Sequence, residues 1–134
     1  MKVLITGGAG FIGSHLIKKI LLTTDWEVVS LDCLNYSGNL NRIHYLLSNY
    51  SIKNRLKIVY HDLRASINDT TKKIINNIDY IIHMAAKPHV DQSIADPLDT
   101  VMNNVVGTCN ILNYAKDVGV RCSDEFINTG ESQS

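Results

Sequence analysis

From residue 6 to residue 14 the chain reads Thr-Gly-Gly-Ala-Gly-Phe-Ile-Gly-Ser. A short apolar, β-prone run, Lys2–Thr6, stands directly before it, and a segment of helical period follows. Gly7, Gly8, Gly10 and Gly13 satisfy G-x-G-x-x-G counted from Gly8 and G-x-x-G-x-x-G counted from Gly7. Glycine allows a turn tighter than side chains permit, so a strand can pass straight into a helix here. A chain that opens in this way is committed to βαβ winding, in which parallel strands need helical crossovers between them.

The rest of the sequence keeps that rhythm. Strands are expected at Lys2–Thr6, Glu27–Asp32, Leu56–Tyr60, Tyr80–His83 and 125–128. Helices are expected at Phe11–Thr23, 39–49, 67–77 and 97–118. The first of these places Ile12, Leu16, Ile20 and Leu21 on one face and Lys18 and Lys19 off it. The last has Pro97 in its first turn, Asp96 before it as N-cap and Gly119 as C-cap. No repeat beyond the βα alternation, no low-complexity tract and no linker interrupts the 134 residues. The expected fold class is therefore α/β, a Rossmann doubly wound parallel sheet with five strands in the order 3-2-1-4-5, forming one domain over residues 1–134.

Composition narrows the function classes. Hydrophobic residues make up 45% and charged residues 19%, as in a folded domain. Thirteen Lys plus Arg balance thirteen Asp plus Glu, which argues against a general nucleic-acid or membrane-surface binder. Cys33, Cys109 and Cys122 are odd in number and form no C-x-x-C, which argues against a disulfide framework and a zinc site. No run approaches the roughly 18 apolar residues of a membrane span, so a soluble, cytoplasmic protein without a metal is expected.

A glycine turn can be a bland connection. This one lies between strand and helix, where free N–H groups and the helix dipole favour a diphosphate. An acid also follows: Asp32 closes the second strand, nineteen residues beyond Gly13. At that place a carboxylate accepts the hydroxyls of an adenosine ribose and repels a 2′-phosphate. The neighbouring Cys33-Leu34-Asn35 carries no cation for such a phosphate. NAD is favoured over NADP, although Asp32 is also placed to cap the turn before Asn35.

Four blocks in order now resemble the extended short-chain dehydrogenase/reductase family, and within it the nucleotide-sugar 4,6-dehydratases that act on dTDP-glucose. They are the glycine turn at 6–14, Leu-Asp-Cys-Leu-Asn-Tyr-Ser-Gly-Asn at 31–39, His-Met-Ala-Ala-Lys-Pro-His-Val-Asp-Gln-Ser-Ile at 83–94, and Asn-Asn-Val-Val-Gly-Thr at 103–108. The resemblance implies that Gly7, Gly10, Phe11, Ile12 and Gly13 contact the diphosphate and that Asp32, Asn35, Tyr36 and Gly38 hold the adenosine. Asp62 and Leu63 match a pair that flanks the adenine, Asp62 being equally well read as a helix-leading cap. Ala85, Ala86 and Lys87 match the segment under the nicotinamide ribose. Asn104 matches a supporting helix asparagine. His89 and Asp91 fall on the substrate side, a nucleotide sugar with dTDP favoured; Pro88 departs from the usual Ser there. His83 is expected to be a core or strand-end histidine.

Family chemistry implies a Tyr followed four residues later by Lys. The six tyrosines are followed at that distance by Leu40, Asn49, Asn54, Arg64, Met84 and Val118. Near the fifth strand only Glu131 and Ser132 stand as candidates for catalytic groups. The expectation is thus the N-terminal NAD-binding portion of a dehydratase, lacking the sixth strand and the substrate domain and inactive alone. The alternatives are a piece of a nucleotide-sugar 4-epimerase or a stand-alone NAD-binding module. The apolar side of the 97–118 helix, with Val101, Val105, Ile111 and Leu112, is expected to be left partly uncovered and to drive homo-oligomer formation.

Overall fold

The computed structural model describes residues 1–34, 41, 43, 44, 48, 52 and 54–120. Its first strand, β1 (Lys2–Thr6), is buried almost throughout, with Val3, Leu4 and Ile5 fully enclosed. A strand with such a continuous apolar run sits inside a parallel sheet covered on both faces. Three more strands join it: β2 (Glu27–Asp32), β3 (Leu56–Tyr60) and β4 (Tyr80–His83), in the order β3-β2-β1-β4 and all parallel. The register sets Thr6 beside Leu31 and His83, and Asp32 beside Tyr60. The carboxyl ends of all four strands therefore open at one edge. These strands have the bounds and order expected from sequence; the fifth, at 125–128, lies outside the described residues.

Alternation along each strand sorts the core into two layers. Val3, Ile5 and Val28 pack with Ile17, Ile20 and Leu21 of α1 (Phe11–Thr23) on one face. Leu4, Val29, Leu31 and Val59 pack on the other, with Ile75 of α2 (Asp69–Ile75) and with Ile111 and Tyr114. Helix α1 has its expected bounds, but its buried stripe runs through Gly13, Ser14, Ile17, Ile20 and Leu21, with Leu16 at its margin. Ile12 is not on it and stands 63% exposed, because the face turned inward at that end is that of Gly13, which packs against the Gly7 and Gly8 backbone. Helix α2 is shorter than the expected 67–77. Asn68 caps its start, its side chain accepting from Thr71 N at 2.8 Å, and Asn76 ends it at φ 62°. Most of the expected 39–49 helix lies outside the described residues.

The expected 97–118 helix keeps helical backbone from end to end, with a π-helical stretch inside it and a short helix before it. Helix α3 (Val90–Ala95) ends before Pro97, whose ring disfavours helical backbone at Asp96. Helix α4 (Pro97–Val101) then starts with the Asp96 carboxylate accepting from Asp99 N at 3.0 Å. A π-helical stretch, Met102–Val106, leads into α5 (Gly107–Val118), which Gly119 closes at φ 71°. Ile111 is buried in the core, not on an uncovered side; Val101, Val105 and Leu112 do face solvent. Among the described residues no helix is long and apolar enough to cross a membrane, and no group of three or more metal-ligating side chains gathers.

Candidate functional site

At the carboxyl edge of the sheet a crevice of about 620 Å³, including its open mouth, is lined by the ends of all four strands and by one helical stretch. Gly7 and Gly10 come from the turn after β1, and Leu31, Asp32 and Cys33 from the end of β2. The exit of β3 adds His61, Asp62 and Leu63. The exit of β4 adds Met84, Ala85, Ala86 and Lys87, and the π-helical stretch adds Asn103. This is where open α/β sheets bind ligands, at the reversal of strand order between β1 and β4.

The glycine turn is shaped by contact. Gly7 sits at φ +72°, and a Cβ there would meet the backbone of Ala85 at 2.9 Å. A Cβ on Gly13 would lie 2.2 Å from the Gly7 carbonyl oxygen. These two positions let the start of α1, the turn and the β4 exit close on one another. No side chain caps α1: Gly10 is its N-cap, its first turn has no acid, and its first intrahelical donor is Ser14 N, to Gly10 O at 3.0 Å. Helix geometry leaves the N–H groups of Phe11, Ile12 and Gly13 without intrahelical acceptors, so the fold offers donors and a dipole end suited to an anion. The side chains of Phe11 and Ile12 turn away to solvent, 68% and 63% exposed.

Asp32 is buried at the crevice floor. One carboxylate oxygen accepts from Leu34 N at 2.7 Å, the other from Ala9 N at 3.2 Å. It therefore ties the glycine turn to the end of β2 and holds Leu34 in a left-handed conformation, φ 52°. Each oxygen keeps a second lone pair, which is what a ribose diol requires.

Asp62 leads a turn and not a helix, accepting from Arg64 N at 3.0 Å, and also binds the Arg64 guanidinium, Nε at 2.9 Å and Nη2 at 2.5 Å. The Arg64 hydrogen bond holds the Asp62 carboxyl below its ordinary range. Arg64 reaches on to Asp99 at 3.4 Å, and Lys87 pairs with the other oxygen of Asp99. The Lys87 contact holds the Asp99 carboxyl low as well. A charged chain thus links the β3 and β4 exits through α4. Arg64 is thus a cation beside this edge of the crevice that the residues directly after Asp32 do not carry. Its charge is matched by two carboxylates.

Lys87 is further fixed by Asn104, which accepts from Lys87 N at 2.8 Å and donates to Lys87 O at 3.2 Å. Leu63 is held from α5, where Asn110 donates to its carbonyl at 2.6 Å.

Of the residues picked from sequence, Gly7, Gly10, Asp32, Asp62, Leu63, Ala85, Ala86 and Lys87 share the crevice wall. Phe11, Ile12 and Gly13 do not line it; they form the first turn of α1 directly after Gly10, which does. His89 and Asp91, exposed at the start of α3, do not line it. Asn35, Tyr36, Gly38, Glu131 and Ser132 lie outside the described residues. Leu31, Cys33, His61, Met84 and Asn103 were not singled out, nor was the Arg64–Asp99 link. Strand ends are the signal for the first four, while Arg64 and Asp99 are 35 residues apart and carry none.

Known proteins share both the sequence and the fold. The sequence profile of the family described as GDP-mannose 4,6 dehydratase matches residues 4–133. A dTDP-glucose 4,6-dehydratase of Escherichia coli is 36% identical over 125 residues, which cover 93% of this chain and 33% of that protein. The crystal structure of the dTDP-glucose 4,6-dehydratase DesIV from Streptomyces venezuelae with NAD and TYD bound superposes at a TM-score of 0.78. It is 37% identical, over 90% of this chain and 37% of that one. A UDP-glucose 4-epimerase from Bifidobacterium longum in complex with NAD+ and UDP superposes at 0.74, with 30% identity over 90% of this chain and 35% of its own. The chain spans about a third of the length of these relatives. A profile match that runs from β1 to the next-to-last residue, over a sheet and crevice of this form, places the chain in the GDP-mannose 4,6 dehydratase family.

Proposed function

We propose that this chain is the NAD-binding portion of a nucleotide-sugar 4,6-dehydratase acting on a dTDP-sugar. The observation that carries the reading is the crevice itself: an uncapped helix start and a buried carboxylate meet at the sheet's reversal point. The uncapped N–H groups of Phe11, Ile12 and Gly13 hold the diphosphate of the coenzyme. Asp32 receives the adenosine ribose and disfavours a 2′-phosphate. Asp62 and Leu63 flank the adenine, joined by Asn35, Tyr36 and Gly38. Ala85 and Ala86, small and backed by Gly7, leave room for the nicotinamide ribose beside Lys87. NAD, when bound, supplies a hydride acceptor for C4 of the sugar and the hydride returned to C6 after water leaves across C5 and C6. His89 and Asp91 belong to the sugar side of the rim, with Glu131 or Ser132 as candidates for a group acting on the sugar. The chain contains no Tyr with Lys four residues on, so the share of the reaction assigned to these residues is to hold and orient the coenzyme. A 4-epimerase parent is the second reading, favoured by the fold shared with the Bifidobacterium longum enzyme. The protein works in the cytoplasm as a homo-oligomer, joined through the exposed apolar side of α4 and α5.

Calorimetric titration with NAD and NADP tests the cofactor assignment. NAD is expected to bind more tightly than NADP. Asp32→Ala should lose NAD affinity by about tenfold to a hundredfold, the worth of hydrogen bonds to a charged group, and should narrow the preference. Tighter binding of NADP to the unsubstituted protein defeats the role given to Asp32.

A further inference from the structure

His83 ends β4 and is gripped from two sides. Its Nδ1 lies 2.6 Å from the Thr6 hydroxyl of β1, and its Nε2 lies 3.0 Å from the Thr108 hydroxyl of α5. The neighbouring bonds decide which atoms donate. Thr108 gives its proton to the Asn104 carbonyl at 2.6 Å, so toward His83 it can only accept, and the imidazole proton must sit on Nε2. Nδ1 is then bare and takes the Thr6 proton. The lone pairs of that same Thr6 oxygen receive Met84 N at 3.0 Å and Ala85 N at 3.2 Å. The opposite tautomer would leave Thr108 and Asn104 facing each other oxygen to oxygen. It would also aim three N–H groups at Thr6 while its own proton lost its acceptor.

We propose that His83 is a positioning residue for the crevice: the neutral Nε2–H imidazole locks the glycine-turn strand, the β4 exit and α5 in one arrangement. The chain of bonds runs from Asn104 through Thr108, His83 and Thr6 to the amides of Met84 and Ala85. Asn104 closes it by holding both backbone groups of Lys87. The segment that backs Gly7 and forms one crevice wall is therefore set by hydroxyl and ring protons, not by packing alone. A second proton on the ring breaks the chain at Thr6. Burial already disfavours it by lowering the imidazole pKa below 6.5. The groups facing the ring, Thr6 and Thr108, are neutral, and the charges on their elements, Lys2, Lys116 and Asp117, stand at the far ends. This inference rests on the crevice being a coenzyme site.

The test uses the protein as encoded, labelled with 15N in its histidine rings. Two-bond 1H–15N spectra, with His83 assigned by its loss in His83→Phe, or by its response to Thr108→Val if that variant does not fold, should show an Nε2–H ring. That ring should take up its second proton only below the ordinary histidine value. An Nδ1–H ring, or one titrating at the ordinary histidine value, overturns the proposal. Thr6→Val should weaken NAD binding by about tenfold and speed amide exchange at Met84 and Ala85, whereas Thr6→Ser should restore both. Equal behaviour of the Val and Ser variants overturns it. If the unsubstituted protein takes no NAD, the coenzyme reading fails, while tautomer and amide exchange still decide the lock.

Discussion

Asp32 serves structure and recognition with the same two oxygens. By accepting from Ala9 N and Leu34 N it stabilises the glycine turn and a left-handed leucine, and its remaining lone pairs face the crevice. Gly13 is constrained from the opposite direction, by having no side chain at all. Alanine there gains about 1 kcal/mol of helix propensity, but its Cβ would sit 2.2 Å from a backbone oxygen, which no rotamer relieves. Overpacking of this kind costs roughly 1–3 kcal/mol, and with backbone as the obstacle the upper end applies. Gly13→Ala should therefore lower stability in urea unfolding by about 2 kcal/mol net and weaken NAD binding. Tyr114 presents the converse case. Its ring fills the core, but its hydroxyl is buried with no partner among the described residues, and burial pushes its pKa above 10.0. Tyr114→Phe removes a desolvated donor without opening a cavity and should raise stability by up to about 1 kcal/mol. The sign extends to alkaline pH. The fold keeps the phenol neutral while the unfolded chain ionises near 10, so stability falls above that pH in the parent and not in the variant.

Elements in this molecule are joined at their ends as much as along their faces. The strands are legible in sequence as short apolar runs, although only β1 and β2 are buried nearly throughout while β3 and β4 expose some of their residues. The long helix is legible in its bounds, from Pro97 to Gly119, but not in the π-helical stretch inside it, which leaves its apolar period undisturbed. That stretch carries Asn103, which lines the crevice, and Asn104, which binds Lys87. Asp99 in α4 joins the β3 and β4 exits by pairing Arg64 and Lys87. Asp99→Asn should loosen both walls, weakening NAD binding and lowering the urea midpoint slightly, an effect that shrinks in high salt. The pH dependence follows from the lowered pKa values of Asp99 and Asp62. A carboxylate depressed in the fold stabilises above its ordinary 3.8 and loses that contribution as pH falls through the folded value. The difference between parent and Asp99→Asn should accordingly be present at neutral pH and vanish below 3.8. A difference that persists in strong acid would show that Asp99 acts by shape and not by charge.

At the scale of the whole molecule, α3 leaves Ile94 exposed, and α4 to α5 leave Leu98, Val101, Val105 and Leu112 exposed at spacings of three, four and seven residues. Ile94 at 75% and Leu98 at 71% are far more open than a lone surface residue requires. Leu98→Glu combined with Val105→Glu should shift the protein toward monomer in sedimentation analysis with little change in NAD affinity, since neither residue lines the crevice. Unaltered sedimentation would place the interface elsewhere. What the sequence determined by itself was local: strand bounds, the glycine turn, the Asp96 and Gly119 caps, and the placing of Asp32 at the end of a strand. Each follows from periodicity or from a backbone conformation that few residues adopt, so each is written within a handful of neighbouring positions. Tertiary structure alone decided that Ile12 faces solvent and Ile111 the core, that Arg64 meets Asp99, and that His83 bridges Thr6 and Thr108. Those outcomes depend on which surfaces meet once the sheet has twisted and the helices have docked. Residues 35 and 77 positions apart become hydrogen-bonding neighbours only then, and no local pattern records their distance.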